Sequence, residues 1–396
     1  MPVTVLGSGM SAQRRATIAD VAAASGVGVG TVSRVINGAS NVREATRRSV
    51  QKVIEQLGYR PSHLAVSLSR GTPRTVAIVV PHLTRPSAVM RLAGALAVLD
   101  EQGYDTVVCN VDTPQQRDHH LAALTSRHRA DGVIVVSLRL SLDQLGIFRK
   151  AAVPLVTVDV MAAGVPQTVT DDVAGGRLAT GHLLALGHRR IGFVGDTKRR
   201  TSAADLGFAT SQHRLSGYRQ ALAAAGIGYD PALVRRGPHG PANAEALATE
   251  LLRRPDRPSA IFAASDTQAM GVLAAADRCG IPVPDQLSVI GFDDIESAML
   301  LGLSTVRQPL EDSGAEGARR LCALLRGEQV TPLRQQLAVE VVSRSSTARF
   351  RVDQPPTGGP LVDHASSRRR SQPPQERYIE LGSPGHGRPG WREEYG

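Results

Sequence analysis

Aromatic side chains make up only 3% of this 396-residue chain, with a single tryptophan, and cysteine occurs three times. Cys109, Cys279 and Cys322 are widely separated, with no CxxC or Cys/His ligand spacing around them. Neither a disulfide framework nor a metal site is supported. The adjacent pair His119-His120 lies in a polar stretch and reads as solvated. No run approaches the roughly 18 apolar residues of a membrane span. The start, MPVTVLGSGMSAQRR, places its basic residues after the weakly apolar part, the reverse of a secretory signal. A cytoplasmic, nucleoid-associated protein is expected, with no membrane partner. GxSxG, HExxH and P-loop strings are all missing, so no enzyme and no cofactor is expected.

What is present is charge, unevenly placed. The formal net charge is +10. Residues 1–70 carry nine Arg or Lys against three acids, a net of +6, while residues 351–396 carry +1 and the 280 residues between them +3. A small basic N-terminal unit is what polyanion binding requires. The total length allows two or three compact units.

Within that basic unit, residues 17–37 read TIADVAAASGVGVGTVSRVIN. Thr17 can cap a first helix, with Asp20 three residues on, as in a capping box. Ile18, Val21 and Ala22 fall on one face. After a turn at Ser25-Gly26-Val27, Val32, Val35 and Ile36 form the inner stripe of a second helix. Thr31, Ser33 and Arg34 project outward, and Asn37-Gly38 stops the helix. Small donors and one arginine suit a groove edged with phosphates and base acceptors. An Ala-rich helical hairpin with a merely wet polar face satisfies the same periodicity. A third helix is expected from Glu44 to Leu57, with Thr46, Val50, Val53, Ile54 and Leu57 inward and Arg47, Arg48 and Lys52 outward. Gly58 provides its stop.

The ordered string TIxDVAxxxGVxxxTVSRVIN closely resembles the DNA-binding headpiece of the lactose/galactose repressor family (LacI/GalR). That resemblance implies DNA contacts from Thr17, Ile18, Gly28, Val29, Gly30, Thr31, Ser33, Arg34, Asn37, Asn41 and Tyr59. It also implies a hinge helix after Pro61, in which Leu68, with Ala65 on the same face, wedges into the minor groove. Gly28 stands where a capping hydroxyl is usual. Val29 and Gly30 occupy base-choosing positions with one apolar side chain and one hydrogen.

Residues 75–350 alternate aliphatic runs with helical segments. Strands are expected at 75–80, 105–111, 132–136, 154–159, 190–195, 260–264 and 287–294. Helices are expected at 88–102, 115–128, 141–151, 173–186, 211–225, 242–253, 267–279 and 312–326. Unbroken Val/Ile runs between helices indicate parallel strands covered on both faces. Two doubly wound subdomains fit this count. The expected fold is an all-α helix-turn-helix headpiece with a hinge helix, then an α/β bilobal domain that, by the resemblance, is periplasmic-binding-protein-like. The divisions are a disordered arm at 1–15, the DNA-binding domain at 16–60, the hinge and linker at 61–73, and an effector-binding and dimerisation domain at 74–350. Within the last, lobe 1 covers about 74–172 and 305–337, and lobe 2 about 173–304 and 338–349. Residues 351–396, rich in Pro, Gly, Ser and Arg with no heptad pattern, are expected to be a disordered tail.

Ligands of open α/β sheets bind beyond the carboxyl ends of the strands. Asp159, Asp266 and Asp293 sit at such ends, and Arg214 opens a helix; any strand-end Asp can equally be a helix cap. The resemblance implies an effector site at Asp159, Arg214, Ser265 and Asp293, with His239 and Leu310 where some relatives place an aromatic, and leaves Asp266 structural. Carboxylates and a forked guanidinium suit polyols. Many relatives carry Asn-Pro-aromatic-aromatic after the first strand, whereas this chain has Arg85-Pro86-Ser87-Ala88. The expectation is a ligand-responsive repressor. Its partners are pseudo-palindromic double-stranded operator DNA, a small, sugar-like effector and a second copy of itself. A transport solute-binding protein would explain the lobes but not the basic headpiece.

Overall fold

The computed structural model describes residues 16–36, 39, 41–59, 74–125, 129–197, 206 and 209–351. Asn37, the hinge with Ala65 and Leu68, the N-terminal arm and the tail lie outside the described residues.

Three helices make the headpiece: α1 Ile18–Ser25, α2 Val29–Ile36 and α3 Glu44–Gln56. The capping box forms as spaced: the Thr17 hydroxyl accepts from the Asp20 amide at 3.3 Å, and the Asp20 carboxylate accepts from the Thr17 amide at 2.7 Å. Gly26, at φ 66°, ends α1 in the left-handed conformation that glycine adopts without strain. Val21, Ala22, Val32, Val35, Val50 and Tyr59 form the buried core. Two residues depart from expectation. Leu57 is 41% exposed, because α3 stops at Gln56 and Gly58, at φ 56°, turns the chain back. The residue delivered inward by that turn is Tyr59, whose amide bonds the Ile54 carbonyl at 3.0 Å and whose side chain is 8% exposed. Tyr59, expected at the DNA face, therefore fills the headpiece core.

The rest of the described chain builds two sheets. The first joins β1 Thr75–Pro81, β2 Asp105–Val111, β3 Gly132–Val136, β4 Leu155–Val158, β5 Gln167–Thr170 and β11 Arg334–Leu337. Its order is β11-β5-β4-β3-β1-β2, all parallel, with Ile78 opposite both Val108 and Ile134. The second joins β6 Ile191–Asp196, β7 Val234–Gly237, β8 Ala260–Ala263, β9 Ser288–Asp293, β10 Ser304–Arg307 and β12 Glu340–Val342, in the order β12-β10-β9-β8-β6-β7. Only β12 runs antiparallel there. Helices α4 Pro86–Glu101, α5 Pro114–Leu124, α6 Leu142–Ala151 and α12 Leu310–Leu325 flank the first sheet. Helices α7 Asp172–Ala185, α8 Thr210–Ala224, α9 Pro241–Leu252 and α10 Asp266–Arg278 flank the second, and the short α11 Glu296–Leu300 follows β9. Aliphatic side chains on both faces of each sheet form its core.

The chain passes between the sheets after β5, after β10 and after β11. The return expected near 305 falls later, because β10 pairs with β9 through Arg307 and only then does α12 pack on the first sheet. Two glycine pairs bring helices close enough to aim side chains into the space between lobes. A Cβ at Gly94 of α4 would collide with the Glu311 carbonyl of α12, and one at Gly314 with that of Arg91. In the second lobe, a Cβ at Gly176 of α7 would collide with the Arg214 carbonyl of α8, and one at Gly217 with that of Val173. Among the described residues no helix is long and apolar enough to cross a membrane.

Candidate functional site

On the headpiece, α2 presents its polar side away from the valine core. Val29 is 46% exposed, Gly30 and Arg34 are exposed, and Thr31 and Ser33 are half-buried. Positions 30 and 34 share a face one turn apart, and the Arg34 Nε donates to the Gly30 carbonyl at 3.2 Å. The Gly28 carbonyl takes the amides of Thr31 and Val32 at 2.8 and 3.2 Å, opening the helix without a side-chain cap. Thr17 is exposed, Ile18 is half-buried against the headpiece core, and Asn41 is exposed in the turn before α3. The outward arginines of α3 divide: Arg47 donates to the Ala39 carbonyl at 2.6 Å, while exposed Arg48 pairs with Glu44 at 3.4 Å.

The second site is a cavity lined from both lobes. The first lobe contributes Arg85, Ser87, Arg91, Ser137 and Asp159, the second Asp196, Arg214, His239, Ser265 and Asp293, and the crossing contributes Gln308. Asp159 follows β4 and Asp293 ends β9, with φ of 62° and 122°, unusual values for a non-glycine residue that mark constrained positions. Asp159 pairs with Arg91 Nη2 at 3.1 Å and accepts from the Ser137 and Thr170 hydroxyls at 2.7 and 3.4 Å. Across the cavity Arg214 donates to Asp172 at 2.8 Å, to the Ala264 carbonyl at 2.6 Å and to Asp293 at 3.4 Å. Its guanidinium carbon lies 3.6 Å from the centroid of the Phe292 ring, a cation–π contact. Ser265 caps α10 by accepting from the Gln268 amide at 3.2 Å, and His239 Nδ1 lies 3.2 Å from the Asp196 carboxylate.

Gln308 ties these groups together. Its carbonyl oxygen accepts from Arg91 at 3.0 Å and Thr170 at 3.3 Å, and its amide donates to Asp293 at 2.6 Å. One uncharged side chain thereby bridges the first lobe's arginine and the second lobe's carboxylate.

Burial and pairing compete in setting the ionisation of these groups. It opposes ionisation of Arg214, but Asp172 and then Asp293 more than offset it and raise the guanidinium pKa. Burial would lift Asp196, yet the hydrogen bond and charge of His239, with Arg85 and Arg214, hold that carboxyl below its ordinary value. For Asp293 burial wins over Arg214 and Arg91, and the pKa rises. Asp266 is fully buried, accepts from the Ile295 amide at 3.0 Å and the Thr305 hydroxyl at 2.6 Å, and is pushed up to about 8 by burial and by Asp293. It holds the β9–α11 turn and does not line the cavity.

Five of the six residues expected at the effector site, Asp159, Arg214, His239, Ser265 and Asp293, meet around this cavity. Leu310 does not: it is 2% exposed, because as the first residue of α12 it turns into the protein interior. The side chain that reaches the cavity is Gln308, two residues earlier. Arg91, Asp196 and Gln308 had not been anticipated. Asp196 carries the same signal as Asp159, a carboxylate at a strand end. Arg91 was detectable as a lone charge on the buried stripe Ala88, Ala95, Val98 and Leu99. Gln308 has no local signal.

Comparison with known proteins finds matches for both parts of the chain. Residues 17–62 match the bacterial regulatory proteins of the lacI family, and residues 180–347 match a periplasmic binding protein-like domain. The chain is 35% identical to the HTH-type transcriptional regulator CelR of Thermobifida fusca over 349 residues, covering 85% of this chain and all of that protein. The structure of a CelR–cellobiose complex superposes with a TM-score of 0.62 at 33% identity, over 84% of this chain and 100% of that one. The lac repressor dimer bound to operator and the anti-inducer ONPF superposes with a TM-score of 0.73 at 25% identity, over 85% of this chain and 100% of the other.

Proposed function

This chain belongs to the lacI family of bacterial regulatory proteins, and from that premise we propose a homodimeric repressor of transcription whose operator affinity is set by a small, sugar-like metabolite in the inter-lobe cavity. The observation that carries this reading is the cavity itself. It gathers carboxylates and a forked guanidinium from both lobes, so an occupant contacts both and favours one lobe orientation over another. A ligand shifts such an equilibrium only by its difference in affinity for the two orientations. Gln308, bonded to Arg91, Thr170 and Asp293 together, is where occupancy is felt by both lobes.

Each headpiece reads one half-site, and residues 61–73 connect it to the lobes. Base selection falls on Arg34, which can seek guanine N7 and O6, with apolar contact from Val29 and with Thr31 and Ser33 near phosphate. A second copy is supported by exposed apolar side chains on both lobes: Val89, Leu96 and Val107 on the first, Met299, Leu300 and Leu301 on the second, with Leu300 77% exposed. A solute-binding role in transport leaves the headpiece unexplained. Selection of bound sequences from random DNA, with and without a panel of sugars, tests the proposal. The expected product is a two-fold motif, one half-site per headpiece, whose retention changes with one of the sugars. Absence of any motif at low salt overturns the proposal.

A further inference from the structure

We infer that Arg47 is a positioning residue for base recognition. From α3 it holds the Ala39 carbonyl, so fixes the last turn of α2, which carries Arg34, and does not contact DNA phosphate. This rests on the reading of α2 as the base-selecting helix given above and adds the residue that aims it.

The last turn of α2 is held from outside the helix. The final carbonyls of a helix find no partner within it. Here the Arg34 carbonyl takes the amide of Ala39 at 3.0 Å, three residues beyond the end of α2 at Ile36. Arg34 is the basic residue of that last turn, but its side chain is drawn back one turn to the Gly30 carbonyl. The turn from which Arg34 projects therefore stays wound only while Ala39 stays in place.

Arg47 holds Ala39. Its Nη2 donates to the Ala39 carbonyl at 2.6 Å, a charge-assisted bond that also brings a cation to the negative end of α2. The two bonds run in series, from the Arg47 guanidinium through the Ala39 peptide groups to the Arg34 carbonyl. Apolar packing between the two helices is thin enough for this link to matter. Of the 13 residues of α3 only Val50 is buried, and it shares the core with Val32 and Val35 of α2.

The next residue shows what an uncommitted arginine looks like. The Arg48 side chain is 76% exposed and pairs with one oxygen of the Glu44 carboxylate at 3.4 Å. The Arg47 side chain is 21% exposed and lies 3.6 Å from the other oxygen. With a carboxylate on one side and a carbonyl on the other, its charge is answered within the headpiece. Contacts that position a protein on DNA are made to phosphate by groups free to reach it. Arg48 meets that condition and Arg47 does not.

The test measures binding of the full-length protein by fluorescence anisotropy over a range of salt. The probes are the two-fold duplex recovered by selection, its single-base variants and a scrambled duplex of equal length. Arg47→Met keeps the apolar stem and removes the donor and the charge. Discrimination at the base positions lost in Arg34→Ala should fall about threefold or more, with the salt dependence of affinity unchanged. A ratio of affinities among duplexes does not depend on the fraction of protein folded, so a merely destabilised headpiece would not move it. Arg47→Lys, which keeps a charge and a donor, should hold the preference closer to that of the unaltered protein.

A uniform loss across all duplexes, with the salt slope lowered by about 1, would make Arg47 a phosphate contact and overturn the inference. Unchanged preference in Arg47→Met overturns it too, as does a lysine variant no better than the methionine one. These outcomes leave α2 as the base-selecting helix. Arg34→Ala tests that reading separately: full base preference without Arg34 would overturn it, and the positioning role of Arg47 with it.

Discussion

The headpiece and the cavity solve recognition in opposite ways. In the headpiece the residues proposed to select bases lie within one eight-residue helix, the core beneath them is apolar, and Val29, Gly30 and Arg34 face outward. In the cavity the contributing residues come from positions as distant as Arg85 and Gln308, they are buried or half-buried, and many are bonded to one another. The headpiece is therefore assembled by local periodicity, and changes on its surface should alter binding without altering folding. The cavity is assembled by the fold, and changes there should alter both. Electrostatics reinforces the contrast: charges on the headpiece are solvated, whereas those in the cavity survive burial only because they are paired.

The largest test of this contrast is Arg214→Met. Removing one member of a buried ionic network leaves Asp172 without its counter-charge and Asp293 to Arg91 and Gln308, a loss of about 3–5 kcal/mol. Chemical denaturation of the full chain should show a loss of that order together with loss of effector response. A loss below about 1 kcal/mol, the scale of a surface pair, would mean that the network is not the structural unit described.

The same buried region carries a pH signature. The pKa of Asp266 rises on folding from 3.8 to about 8, so within that window the folded protein holds a proton that the unfolded chain has released. Stability from this group is present below the unfolded value and declines as pH rises through the window. Asp266→Asn keeps a neutral side chain and removes the dependence. The melting temperature of the variant relative to the unaltered protein should climb between pH 4 and pH 8. A flat difference would show that Asp266 is ionised within the fold.

How far the sequence could be read follows the same division. The headpiece helices were legible because each buries a stripe at helical spacing, and the seven strands because each carries a short apolar run. The missed strands, among them Val-Arg-Arg-Gly at 234–237 and Arg-Gln-Gln-Leu at 334–337, are short and polar. Their pairing is dictated by β6 and β5 beside them, not by their own composition. Tyr59 and Leu310 were placed by analogy of position, and each instead turns inward at the end of a helix or the start of one. Gln308 was invisible because nothing within ten residues of it reveals that Arg91 and Asp293 lie on either side.

A smaller effect tests the outward face. Arg34→Ala should cost about 1–3 kcal/mol of discrimination at one base position, the scale of a bidentate arginine–guanine contact. Fluorescence anisotropy with operator variants reads this directly, and the melting curve should be unmoved because Arg34 is exposed and, among the described residues, its side chain bonds its own helix at Gly30. Full retention of base preference would transfer recognition to Val29 and the other positions of α2.

The smallest and most discriminating change is Gly30→Ala. Gly30 sits inside α2 with nothing within 4 Å of an added Cβ and without a positive φ, so alanine fits the free protein without strain. Replacing this first-turn glycine should stabilise the headpiece by less than the roughly 1 kcal/mol of a helix-interior site. The two readouts then separate two reasons for a glycine at this point. If operator affinity rises or holds while the headpiece melts higher, Gly30 is only a weak helix former that the valine core tolerates. If affinity falls while stability rises, the added methyl meets DNA, and Gly30 is there to let the backbone of α2 approach the bases. The second outcome is expected, because Gly28, Val29 and Gly30 together leave the start of α2 with a single small side chain beyond the backbone. A surface so bare gains contact only by coming close.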